Sequence, residues 1–101
     1  MRKSKFIKMV ANGNDFVVVD CRVAHSACRM PLQELAQYLC QRKTAVGADG
    51  LLVLEKSKRA DFRMRIFNAD GSEAEMCGNG LRCAVMHVGK KKVRVETIAG
   101  I

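Results

Sequence analysis

Apolar and polar positions alternate along this chain in two rhythms. Residues Lys5 to Val10 and Phe16 to Asp20 form short runs rich in Val, Ile and Phe, which predict two strands. Ala11-Asn12-Gly13-Asn14-Asp15 lies between them as a turn cluster that leaves Asn14 at a strand end. Cys21 to Met30 has no period and predicts a loop. From Pro31 the rhythm becomes helical. Leu32, Leu35, Ala36, Leu39 and Cys40 make one apolar stripe, with Gln33, Glu34, Gln37 and Gln41 opposite. Cys40 therefore reads as core, and the cations Arg42 and Lys43 suit the helix end.

A glycine-containing loop, Thr44 to Gly50, leads to Leu51-Leu52-Val53-Leu54, an unbroken apolar run of the kind buried on both faces of a sheet. After the polar turn Lys56 to Arg59, strict alternation sets Phe62, Met64 and Ile66 against Asp61, Arg63 and Arg65. Asn68-Ala69-Asp70-Gly71-Ser72 then predicts a tight turn into Glu73 to Met76. A second helix carries Leu81, Cys83, Ala84, Val85 and Val88 and stops at Gly89, a residue suited to a helix C-terminus. A last strand spans Val93 to Ile98, with Val93, Val95 and Thr97 on one face. The fold class that follows is α+β: one domain over residues 1–101, a mixed or antiparallel sheet with two helices.

Composition narrows the function classes. A hydrophobic content of 49% with 28% charged residues excludes a disordered chain. No apolar run approaches a membrane span, and the basic N-terminus lacks the apolar core of a signal peptide. Five cysteines without C-x-x-C pairs give neither a disulfide framework nor a zinc site, so a reducing cytoplasm is expected. The net charge of +8 invites nucleic acid as a partner. Its basic residues are scattered, however, and the chain has one Tyr, four Phe and no Trp for base stacking, which favours a solvated basic surface instead.

Candidate chemistry concentrates at Glu75-Met76-Cys77-Gly78-Asn79-Gly80. A helix starting near Gly78 to Gly80 puts Cys77 at its positive end, where free backbone N–H groups favour a sulfur anion and can hold a carboxylate. The plainer alternative is that Cys77 is a small buried hydrophobe. Gly47 and Gly50 lack the lysine and hydroxyl of a phosphate loop, and Asn68 to Ser72 lacks the alternating oxygens of a calcium loop.

Four stretches closely resemble the diaminopimelate epimerase family: Gly13-Asn14-Asp15-Phe16, Gly47-Ala48-Asp49-Gly50-Leu51-Leu52, Phe67-Asn68-Ala69-Asp70-Gly71-Ser72-Glu73 and Cys77-Gly78-Asn79-Gly80-Leu81-Arg82-Cys83. The closing Glu96-Thr97-Ile98-Ala99-Gly100 is similar too. The resemblance implies an isomerase that interconverts LL- and meso-diaminopimelate with two cysteines, without pyridoxal phosphate, metal or other cofactor. One cysteine removes the α-proton and the other returns one to the opposite face. It implies that Cys77 is one of the pair, that Gly78 and Asn79 bind the carboxylate region, and that Asn14 and Asn68 hydrogen-bond the substrate. Cys83 falls on the helix's apolar face, where a structural role is expected, and Cys21, Cys28 and Cys40 match no family site.

Three departures qualify this. Many relatives carry a substrate-touching glutamine where this chain has Gly50, and Gly-Leu where it has Ala11-Asn12; a turn role is expected for Asn12, with an added polar contact as the alternative. The chain also corresponds only to the first of the family's two similar halves. The partner cysteine would lie in a C-terminal half or a second subunit, and the chain alone is expected to be inactive. Two other readings stay open: a homodimer pairing two copies of Cys77, and a non-enzymatic basic binding domain.

Overall fold

The computed structural model describes residues 7–22, 26–41, 47–75, 77–89 and 93–97. Strands β1 (Ile7–Ala11) and β2 (Asn14–Asp20) form an antiparallel hairpin across the Asn12-Gly13 turn. Asn12 has φ 49° and Gly13 φ 85°, a left-handed pair that asparagine and glycine tolerate. Helix α1 (Leu32–Leu39) then crosses over, so that β3 (Gly50–Glu55) lies parallel to β2. Strand β4 (Phe62–Asn68) returns antiparallel to β3. Its other edge is shared. β5 (Glu73–Ala74) pairs with its end at Ile66 and Phe67, and β6 (Val95–Glu96) with its start at Phe62 and Arg63. Helix α2 (Gly78–Val88) lies between those two short strands in sequence. Among the described residues the result is the α+β fold expected, a mixed six-stranded sheet with two helices.

The sheet separates two apolar layers. Val17, Val19, Leu51, Val53 and Phe67 pack with Leu35, Ala36, Leu39 and Cys40 of α1. Phe16, Val18, Leu52, Leu54, Phe62, Met64 and Ile66 pack with Cys83 and Ala84 of α2. Leu51 to Leu54 are all fully buried, which explains why β3 reads as a continuous apolar run. Phe62, Met64 and Ile66 face α2 as their alternation predicts. Arg65 on the opposite side holds Glu73 through two hydrogen bonds of 3.0 and 2.8 Å and lies 5.2 Å from the Phe67 ring centroid. That clamp lowers the Glu73 carboxyl below its ordinary pKa and ties β5 to β4 just before the chain enters α2.

Three expectations shift. Pro31 stands just outside α1 with ψ 124°, its carbonyl accepting from Leu35 N at 3.0 Å; the helix ends at Leu39, and the expected end at Arg42 and Lys43 lies outside the described residues. The segment expected to be a plain loop contains a 3-10 turn, Ser26–Arg29. Cys21 and Cys28 are joined by a disulfide there, contrary to the expectation of free thiols. Cys28 lies in that turn with its Cα 6.0 Å from that of Cys21, a closure that a spacing of seven residues does not signal. Cys40, Cys77 and Cys83 are not joined in disulfides.

At the far end of β2, Asp20 accepts two side-chain hydrogen bonds from Arg22, at 2.9 and 2.6 Å, and lies 3.0 Å from Nε2 of His87 in the last turn of α2. Arg22, against the cost of partial burial and with help from His87, lowers the Asp20 pKa from 3.8 to about 2. Because the folded value is depressed, the stabilisation is present above pH 3.8 and is lost as pH falls through about 2. Asp20→Asn should remove this part of the acid sensitivity, at a neutral-pH cost on the order of 1 kcal/mol after solvent screening. Thermal melts of both proteins across that range check it. Parallel stability curves would refute it.

Candidate active site

Register brings four of the motif segments to one end of the sheet. Phe16 pairs with Gly50 and Gly50 with Asn68, so the starts of the parallel strands β2 and β3 lie beside the end of β4. Two aspartates hold the first two segments together. Asp15 N donates to Asp49 Oδ2 at 2.9 Å, and Asp49 N donates to Asp15 Oδ1 at 2.8 Å. Lys8 Nζ adds an ion pair to Asp15 at 3.2 Å. These aspartates act on backbone, fixing where Asn14 leaves the turn.

Helix α2 begins at the same place. Cys77 is its N-terminal flanking residue, with extended φ −145° and ψ 116° and no side-chain capping bond. Its carbonyl accepts the first helical hydrogen bond from Leu81 N at 2.9 Å. The Cys77 sulfur is thus uncommitted to capping, and the side chain is half-buried against the α2-side layer. Gly80 permits this close approach: a Cβ there would come within 2.9 Å of Leu52 Cδ2. Gly78 faces open space, with nothing within 4 Å of its Cβ position. The N–H groups of this first turn have no acceptor within the helix, so a carboxylate can be met there.

Asn79, in that first turn, is joined to Asn14. Its Nδ2 donates to Asn14 Oδ1 at 2.6 Å. Asn12 Nδ2 in turn donates to Asn79 Oδ1 at 3.1 Å. The sequence favours a turn role for Asn12 with an added polar contact as the alternative; Asn12 does both, standing in the turn and bonding Asn79. Asn68 sits at the same end of the sheet, two strands from Asn14, with its Nδ2 donating to Ser72 Oγ at 3.0 Å. Asn68 N also donates to Ser72 O at 2.8 Å, and Asp70 Oδ1 accepts from Ser72 N and Oγ at 2.8 and 2.6 Å, which makes the turn rigid. Gln37 of α1 supports it, donating to the Asp70 carbonyl at 2.7 Å.

The other cysteines differ in kind. Cys83 is fully buried, and burial, with Cys77 adding, pushes its thiol pKa up. Cys40 is buried under α1. Gly50 is tightly enclosed: a Cβ would lie 3.0 Å from the Phe67 carbonyl oxygen and 3.3 Å from the Phe16 ring. Among the described residues no cluster of His, Cys, Asp or Glu could hold a metal, and no helix is long and apolar enough to cross a membrane.

Comparison with known proteins agrees with this layout. The family profile described as diaminopimelate epimerase matches residues 6–101. The chain is 48% identical to the diaminopimelate epimerase of Carboxydothermus hydrogenoformans, over 96% of this chain and 38% of that one. It is 53% identical to that of Rhizorhabdus wittichii, over 96% of this chain and 34% of the relative. The chain thus spans little more than a third of the length of these relatives. A solved structure, the Bacillus anthracis phenazine biosynthesis protein of the PhzF family, superposes with a TM-score of 0.61 at 25% identity, covering 94% of this chain and 32% of that one. Both the fold and a match over nearly every residue lead to one assignment: the chain belongs to the diaminopimelate epimerase family.

Proposed function

We propose that this chain is the N-terminal half-domain of a cofactor-independent amino-acid epimerase that interconverts LL- and meso-diaminopimelate. The observation that carries the reading is an accessible free cysteine at the start of α2, beside an asparagine that bridges to Asn14. In this reading Cys77 is the catalytic residue on one face of the substrate's α-carbon. As thiolate it takes the α-proton; as thiol it delivers one in the reverse direction. Gly78 and Asn79 bind the α-carboxylate at the helix start, and Asn14 and Asn68 donate to the substrate's polar groups. Fixed donors hold the carbon against the sulfur and stabilise the negative charge that develops as the proton leaves.

A single sulfur reaches one face only. Inversion requires a second acid on the opposite face, which a C-terminal half supplies in this reading, and the protein works in the cytoplasm. The isolated chain should therefore show little or no epimerisation. The test is α-proton exchange of LL-diaminopimelate in deuterated water: no racemisation by the monomer is expected, and near-normal racemisation would refute the two-sided mechanism. Iodoacetamide labelling near neutral pH tests the site directly. Cys77 should be modified selectively over the buried Cys40 and Cys83. Equal labelling of all three would count against it.

A further inference from the structure

Asn12 lies in a left-handed turn, φ 49°, and is 67 residues away in sequence from the side chain it contacts. A primary amide has one accepting oxygen and one donating nitrogen, so a row of amides has a direction. Here the row runs from Asn12 Nδ2 to Asn79 Oδ1, and from Asn79 Nδ2 to Asn14 Oδ1. With its oxygen engaged by Asn79, Asn14 is left with its NH₂ group as the free-running end of the row. A terminal donor suits a carboxylate. The reverse direction would end on an amide oxygen and repel one.

We propose that Asn12 is a positioning residue: by occupying the oxygen of Asn79 it sets the direction of the Asn12–Asn79–Asn14 row, and so makes the site selective for a carboxylate. The proposal rests on the reading of Cys77, Asn79 and Asn14 as the substrate site. Asn12 touches no reacting atom in this scheme and acts through Asn79 alone. Aspartate at position 12 can only accept, so it would oblige Asn79 to turn its nitrogen toward it and offer its oxygen to Asn14, reversing the row. Glycine at position 12 would leave the direction unset. Both residues tolerate the left-handed backbone of this turn, so the fold survives either change.

The experiment compares alkylation of Cys77 in the chain by iodoacetate, which carries a carboxylate, and by neutral iodoacetamide. It is run at about 1 M salt, where charges beyond about 3 Å are screened. Asn12→Asp should lower the iodoacetate-to-iodoacetamide rate ratio by about tenfold to a hundredfold relative to wild type, the scale of one hydrogen bond to a charged group. Asn12→Gly should lower it by a smaller factor, and neither change should alter the iodoacetamide rate appreciably. In an Asn14→Ala background Asn12→Asp should have no further effect, because the row no longer has its last member. A ratio unchanged by both substitutions, with Cys77 still labelled selectively, overturns the role of Asn12 and leaves the site intact. An effect of Asn12→Asp that persists without Asn14 also overturns it, as direct charge repulsion. Failure of wild-type Cys77 to label selectively overturns the site reading itself, and the role of Asn12 with it.

Discussion

Phe67→Ala is expected to remove about 3–5 kcal/mol of stability, a large share of the roughly 5–15 kcal/mol typical of a domain. Phe67 is fully buried in the layer beneath α1, opposite Leu51 across β3 and β4. The Arg65 guanidinium stacks near its ring. Its truncation would leave a cavity walled by three layers of structure: the sheet, α1, and the arginine clamped to Glu73. The sheet cannot collapse inward without breaking its ladder, nor Arg65 without breaking its ion pair with Glu73. Urea unfolding checks the value, and the midpoint should fall with little change in slope. A loss below about 1 kcal/mol would mean that the α1 layer is not part of the cooperative core.

The largest effect on chemistry is expected at Cys77. Joined to the remaining portion of a relative such as the Carboxydothermus enzyme, the chain should epimerise diaminopimelate, and Cys77→Ala should lower that rate by at least about a hundredfold, since positioned acid–base groups contribute on the order of 10²–10⁴. Cys83→Ala in the same protein should change rate far less, with its main cost in packing against the sheet. Stopped-time chiral analysis of the product measures both. Comparable losses from the two cysteines would remove the distinction between a reactive residue at the helix entrance and a buried one a turn and a half later.

Much of the fold was legible because its periods are clean. β3 and β4 could be read from Leu51 to Leu54 and from the alternation of Phe62, Met64 and Ile66, each confirmed by burial. Gly89 ends α2 in the left-handed conformation expected of it, φ 78°. The parallel pairing of β2 with β3 could not be read, because period reports which face a residue takes and not which strand lies beside it. The disulfide was missed for a related reason: it depends on where a 3-10 turn returns the chain, which composition does not encode. At the site, Cys77 and Gly78 to Gly80 were legible from local helix-start chemistry. The link from Asn79 to Asn14 and Asn12 was not, since it is a contact between side chains remote in sequence and depends on α2 docking over the first hairpin.

That remoteness matters while the chain is being made. Asn14 and Asn79 are 65 residues apart, and the strand partner of β2 on that side is β3, across the α1 crossover. As the polypeptide leaves the ribosome, Asn12 and Asn14 wait for a partner that is translated 67 and 65 residues after them. Until then Asn12 and Asn14 lack the side chain that joins them, so the row of amides closes only when α2 docks over the first hairpin.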